Sequence, residues 1–266
     1  MEARQLAARM EASRSIGDGH ADSFAGYGLL GLAFATGHVL AFRRVTASSI
    51  GPPFSSVWQR SPEGIWTVHT NVDAMRSCAR YLGSAVCDVR SDDIEVKWRG
   101  RWEVSITARR ARLHLALRLA ATPATALLGA AARLLPPSVS RRVGTQRRLT
   151  AAAARLLGVE RLTLSGRTPT GYAYQIRPRA LWSVQAAAAV LDGREIGPAV
   201  QLREAIAVGD FHIPARGLFA AGTIRLVRIP GIHAIQESPG RDTILRRVLV
   251  HGSATTVNAG TGRTTT

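Results

Sequence analysis

Three things are scarce in this sequence, and each scarcity narrows what the protein is able to be. Cysteine occurs twice in 266 residues, as Cys78 and Cys87. No further Cys or His stands at metal-ligand spacing beside them, so neither a disulfide framework nor a zinc site is expected, and the two read as ordinary reduced thiols. Acidic residues number 18 against 35 basic ones, a formal charge of +17, and Lys97 is the only lysine. That balance favours nucleic acid, anionic lipid or acidic partners. Zinc-finger spacing, RNP-like aromatics and a basic coiled-coil pattern are all missing, so charge alone argues for nucleic acid and that class is set aside. Long apolar runs are missing too. Phe24 to Phe42 is broken by Gly26, Gly28, Gly31, Thr36, Gly37 and His38, which suits a β-hairpin turning at Ala35-Thr36-Gly37 better than a membrane span of about 20 apolar residues. Met1 to His20, with Glu2, Arg4, Arg9, Glu11 and Arg14, lacks the apolar core of a secretory signal, so a soluble, cytoplasmic protein is expected. No HExxH, GxSxG, Walker loop or dinucleotide fingerprint occurs, and neither a metal nor a cofactor is expected.

Short strands are what the sequence has in abundance. Leu29 to Phe34 and His38 to Val45 form a first pair, and Ser55 to Gln59 pairs with Ile65 to Thr70 across Ser61-Pro62-Glu63-Gly64. Val72 to Gly83 interrupts them, with Asp73 placed to N-cap one short helix. Strands resume with Asp93 to Trp98 and Trp102 to Ala108 around Arg99-Gly100-Arg101. From Arg112 to Leu119 leucines hold every second position, so one face of that strand is buried and the other is not. Further strands are expected over Arg161 to Gly166, Gly171 to Arg177, Asp210 to Ile213, Leu218 to Ile229 and Arg241 to Val250. The alanines of Ala180 to Leu191 favour helix while Trp182 and Val184 suit a strand, and strand is the expectation. Roughly ten to thirteen short strands joined by turn signals imply a mostly β, antiparallel barrel or sandwich.

Val104 to Val159 stands apart, with ten arginines and a histidine and no Asp or Glu. Thr122 as N-cap, Pro123 in the first turn and Pro136-Pro137 at the end predict a short apolar helix, and Ser140 to Leu157 predicts a second that ends at Gly158. The second carries Arg141, Arg142, Arg147, Arg148 and Arg155 among apolar positions of helical spacing. Such a hairpin either caps the sheet with its arginines in water or meets an anionic membrane surface. The expected organisation is a flexible segment over 1–23, a first β half over 24–120, the helical insertion over 121–158, a second β half over 159–251 and a disordered Ser/Thr/Gly-rich tail over 252–266.

The candidate site residues crowd the first half. Trp58, Trp66, Trp98 and Trp102 lie on predicted strands with His69, Asp73, Arg80 and Tyr81 close by in sequence. Facing a barrel interior, the tryptophans would wall an apolar cavity with a few polar groups to orient a ligand; facing a sheet–sheet core, they would fill it. Lys97 sits mid-strand beside Val96 and Trp98. Desolvated, it would suit a Schiff base with a carbonyl substrate, although strand alternation puts it on the face opposite its neighbours. Asp210 and His212 share a strand face and would form an acid/base pair at a cavity mouth, or a polar strand end.

Gly37-His38-Val39-Leu40-Ala41, Ser48-Ser49-Ile50-Gly51-Pro52, Ser56-Val57-Trp58, Cys78-Ala79-Arg80-Tyr81-Leu82-Gly83 and Leu119 to Thr125 resemble a group of uncharacterised actinobacterial proteins. The strand pair Trp102 to Ala108 and Leu113 to Leu119 is similar in pattern to lipocalin-like proteins of the hydroxyneurosporene synthase and carotenoid hydratase type. That resemblance implies two lipocalin-like β-domains around an apolar ligand, with cyclase, hydratase or isomerase activity in some members. Ser49-Ile50-Gly51-Pro52 ahead of a strand, with Lys97 on a later one, also resembles acetoacetate decarboxylase-like proteins.

The function expected is binding of an apolar small molecule (terpenoid, polyene, polyketide or lipid) in a β-barrel cavity above about 300 Å³, with cyclisation, hydration or isomerisation as the chemistry. One alternative is a lipid-binding protein docking on anionic membranes through its basic hairpin. The other is a Schiff-base decarboxylase or aldolase using Lys97.

Overall fold

Alternation decides which way this chain faces. Leu113, Leu115, Leu117 and Leu119 are buried to within 3 % of full exclusion, while His114, Ala116 and Arg118 between them are at least partly exposed. The computed structural model describes residues 2–13, 16, 21–134, 143–159, 162–202 and 204–229. All belong to one unit spanning Met1–Ile235, and the strand expected over Arg241 to Val250 and the tail lie outside the described residues.

The strands are β1 Asp22–Phe34, β2 Val39–Ser48, β3 Phe54–Arg60, β4 Trp66–Thr70, β5 Asp88–Ser91, β6 Ile94–Trp98, β7 Glu103–Ala108, β8 Leu113–Ala120, β9 Ser165–Arg167, β10 Tyr172–Leu191, β11 Arg194–Glu195, β12 Ala199–Val200, β13 Ala207–Val208, β14 Phe211–His212 and β15 Leu218–Arg228. The helices are α1 Ala3–Ala12, α2 Pro123–Leu134 and α3 Val143–Leu157. The fold is mostly β, a curled half-barrel of the lipocalin-like kind. Its main sheet runs β5-β4-β3-β2-β1-β15-β10-β8-β7-β6. Strands of the expected first and second halves lie in one sheet, joined where β1 pairs β15 and β10 pairs β8. Ala180 to Leu191 is strand, as expected, within the 20-residue β10.

The sheet bends along a line of small residues. Gly26 lies opposite Gly222, and Gly222 opposite Pro178. Register shifts fall beside this line, between Ala25 and Gly26 and between Pro178 and Ala180. A Cβ at Gly26 or Gly222 would overlap the carbonyl oxygen of Arg44 or Arg177 on the adjoining strand. Glycine permits that close approach, and the bulge tolerates a proline in an interior strand.

Curling brings the sheet's ends together. The chain leaves edge strand β5 at Ser91 and starts the opposite edge strand β6 at Ile94, so the two edges meet within about 11 Å at that corner. Leu40, Phe42 and Val57 from one end share a buried cluster with Ile94, Val104, Ile106 and Leu115 from the other. The face they share is the inside of the curl. It is filled by side chains, including Phe34, Phe42 and Phe219.

Residues 3–12, in the segment expected to be flexible with at most a frayed helix, form a regular helix. Ala3, Leu6, Ala7 and Met10 recur at helical spacing and enter that inner cluster. Glu11 then holds the Arg44 guanidinium through two contacts, at 2.8 and 2.9 Å, and accepts from the Tyr27 hydroxyl at 3.0 Å. Both helices expected in the insertion are present, with Thr122 Oγ1 accepting from Thr125 N at 3.2 Å and Gly158 leaving α3 at a positive φ of 63°, while Pro136-Pro137 and the start at Ser140 lie outside the described residues.

Asp92 pins the corner where the edges meet. Its amide donates to Thr70 O at 2.8 Å, and its carboxylate accepts from Arg110 N at 2.7 Å and Ala111 N at 2.8 Å. It thus ties β4, near one edge, to the β7–β8 turn at the other. Replacing the buried Asp92 by Ala removes the acceptor of two part-buried amides and is expected to cost about 2 kcal/mol, read as a fall in Tm of about 6 °C. An unchanged melting curve would remove Asp92 from this role.

Candidate functional site

The adjacent arginines of β2 show how the pleat builds a site. Successive side chains of a strand point to opposite faces, so Arg44 goes to the inner side, where Glu11 neutralises it. Arg43 goes to the outer face, opposite Ser56 on β3. There its Nη1 donates to Phe42 O at 2.9 Å and to Leu29 O. Its Cζ lies 5.3 Å from the Trp58 ring centroid and 5.6 Å from that of Phe211. No carboxylate pairs with it among the described residues. The guanidinium is surrounded by protein, yet keeps some solvent contact through two pockets that it lines on either side. Desolvation brings its pKa down to about 10, opposed by the nearby Cys78.

Each pocket has a volume of about 80 Å³ and walls that are almost entirely apolar. They share Phe24, Arg43, Ile176, Phe211 and Ile224. Both lie on the outer face of the sheet, and one of them lies over the strip where Gly26, Gly28 and Gly222 leave the backbone bare. The open space of these two pockets lies on the outer face, while the inner cluster of the described residues is packed with side chains. It also falls well short of the expected 300 Å³, which suits a short acyl chain or small ring, or one end of something longer.

Two loops roof the pockets. The β13–β14 hairpin is stapled to β9, because Asp210 Oδ2 accepts from Arg167 N at 2.7 Å and Asp210 N donates to Arg167 O at 3.0 Å. That bond sets Phe211 over Arg43. His212 Nδ1 lies 3.1 Å from Asp210 O and 3.3 Å from Thr163 Oγ1, so the expected Asp210–His212 pair braces the roof. The second loop comprises three single turns of 3-10 helix where one helix was expected. Asp73 Oδ1 caps the first through Met75 N at 2.8 Å, and Ser77 Oγ caps the next through Ala79 N at 3.2 Å. These turns deliver Cys78, Tyr81 and Leu82 to the pocket. Tyr81 donates to Asp22 Oδ2 at 2.7 Å, and its phenol is pushed far up by burial and then by that carboxylate. Burial likewise raises the Cys78 thiol to about 11.

The remaining candidates are dispersed. Trp58 and Tyr81 line the pocket; Trp66 is buried in the same core as Trp58. The Arg80 guanidinium lies over the Tyr81 ring at 5.9 Å. Trp98 and Trp102 pack against the inner cluster, so the four tryptophans are divided by the sheet. The Lys97 side chain is 63 % exposed and pairs with Glu95 at 2.7 Å, without the desolvation a Schiff-base lysine needs. His69 is buried beside Asp92, its Nδ1 3.3 Å from Oδ2 but misaligned for a hydrogen bond. Of the basic hairpin, Arg141, Arg142 and the side chains of Arg147 and Arg148 lie outside the described residues, while Arg155 is exposed. No helix among the described residues is long and apolar enough to cross a membrane. Sequence reasoning missed Arg43 and Asp92. The available signal for Arg43 was a pair of arginines inside an otherwise apolar strand, where alternation must send one to each face.

No protein-family model and no curated protein matches the chain, so the resemblance to the carotenoid hydratase type gains nothing from those comparisons. Among solved structures, acetoacetate decarboxylase from Legionella pneumophila subsp. pneumophila str. Philadelphia 1 is similar at a TM-score of 0.36 and 7 % identity, covering 86 % of this chain and 94 % of that one. No residue correspondence or activity follows from a likeness of that degree.

Burial depresses the pKa of His69 below its ordinary 6.5, with Asp92 opposing. The unfolded chain therefore takes up more protons once the pH drops under that value, and the stability due to neutral His69 is complete above about 6.5 and declines below it. Urea unfolding between pH 8 and 5 is expected to show a shallower acid-side loss for His69→Gln than for the native chain. Parallel curves would contradict this.

Proposed function

We propose that this protein binds a small, largely apolar molecule in the outer-face pocket around Arg43. The observation that supports it is a pair of adjoining apolar pockets meeting at one polar group, the arrangement that holds and orients small ligands. The ionisable groups of the lining whose side chains lie on that outer face are Arg43, Cys78, Tyr81 and Tyr174. All are held in one protonation state at neutrality, the tyrosines and Cys78 raised and Arg43 near 10. A general acid or base works best near the ambient pH, so this lining favours binding over the cyclisation, hydration or isomerisation that the hydratase resemblance implies. Native mass spectrometry against short amphiphiles of four to ten carbons tests the reading. One-to-one adducts are expected, and Ile224→Trp, which enlarges a side chain on the wall both pockets share, is expected to abolish them. No adducts, or adducts indifferent to Ile224→Trp, would end this proposal.

Docking of the helical hairpin on an anionic membrane is a second reading. It is favoured by Leu127 and Leu156, which are 61 % and 45 % exposed on α2 and α3, alongside the basic composition of that stretch. Flotation with anionic vesicles is expected to carry the protein upward, and Leu127→Glu with Leu156→Glu to reduce the bound fraction severalfold. Absence of flotation for the native chain would discard it.

A further inference from the structure

Arg43 and Arg44 are neighbours in sequence, and the structure treats them in opposite ways. Arg44 has a carboxylate on two of its nitrogens. Arg43 spends one nitrogen on two backbone carbonyls beside the β1 irregularity at Leu29. Its Nε and Nη2 have no acceptor among the described residues. A desolvated cation without a counterion is costly unless something supplies the charge. The cation–π contacts from Trp58 and Phe211 offset part of that cost. They also cover the guanidinium's surroundings with aromatic surface, leaving the pocket side as the approach for an acceptor.

We infer that the ligand of this pocket carries a single carboxylate, which seats on the free Nε and Nη2 of Arg43 while its short apolar body occupies the space between Phe24, Phe211 and Ile224. The inference rests on the proposed pocket reading and adds the chemistry of the ligand's head. A planar carboxylate matches the guanidinium fork with two parallel hydrogen bonds. One negative charge balances one positive charge. A phosphate dianion would find no second free cation among the described residues of either wall, where the other arginine, Arg44, is already neutralised by Glu11 on the inner side. The volume of about 80 Å³ on each side of Arg43 limits the enclosed part of the acid to a few carbons.

The test compares hexanoate with hexanamide, its neutral near-isostere, on the full-length protein by calorimetric titration. Hexanoate is expected to bind at least about tenfold more tightly. Location is read separately, through alkylation of Cys78, which lines the pocket, against exposed Cys87. Hexanoate is expected to slow modification of Cys78 several-fold and leave Cys87 unchanged. Arg43→Met is expected to erase the preference for the acid, and Arg43→Lys to keep part of it; the comparison on the native protein decides the matter even where a variant does not fold. Equal binding of the two ligands would overturn the carboxylate seat and leave the pocket reading standing. A preference for the acid without protection of Cys78 would overturn its placement at Arg43. If neither ligand binds, both proposals fall together.

Discussion

The arrangement of this protein depends on the meeting of its sheet edges around Asp92. An open sheet exposes two rows of unpaired backbone groups. Here the chain passes from one edge to the other through Asp92 and Asp93 alone. The carboxylate of Asp92 is buried, accepts two backbone amides from the far turn, and stands beside a buried His69 held neutral. A buried charge persists when hydrogen bonds replace its hydration. Those bonds oblige the sheet to curl far enough for its ends to touch, and the crease at Gly26, Gly222 and Pro178 lets it do so.

Curling separates the two faces by role. The inner face receives side chains from both ends of the sheet and from α1, and closes into a dense core. The outer face is left with glycines along the crease and must be covered by loops, which a few hydrogen bonds hold in place: the pair between Asp210 and Arg167, Asp73 and Ser77 on their own turns, Tyr81 on Asp22. Loops pinned at points cannot pack as tightly as interleaved strands, and the space beneath them is where the pockets occur. Several residues with the look of catalytic groups serve this purpose. A carboxylate that accepts a backbone amide is occupied with architecture, and its proximity to a pocket follows from holding the pocket's roof.

Arg43 differs because architecture uses only part of it. Its position is set by alternation along β2, its stacking by Trp58 from the next strand and Phe211 from a loop more than 150 residues away in sequence. With no acidic neighbour to satisfy it among the described residues, the guanidinium is the one charged group that both apolar pockets share. On the proposed reading, such a recess selects ligands by charge and shape, and its ionisable lining groups hold their protons across the neutral range.

Much of the framework is legible in the residues. The leucine alternation of β8, the Gly37 turn, the Pro62–Gly64 reversal, the Thr122 cap and the Gly158 stop each specify local structure, because backbone conformation and the two-residue period of a strand act over a few positions. Local rules also state that Arg43 and Arg44 must part company. They do not state which faces the core, since that depends on where strands from the other end of the sheet come to lie. The same limit applies to the tryptophans, which look like one cluster in sequence yet are divided by the pleat and the curl, and to α1, whose short apolar stripe gains its partner only from the folded sheet. Residue order determined the strands, their turns and the scarcity of acid to pair with arginine; only the tertiary structure decided that one arginine, having no acid within reach, would stand at an apolar pocket on the outer face.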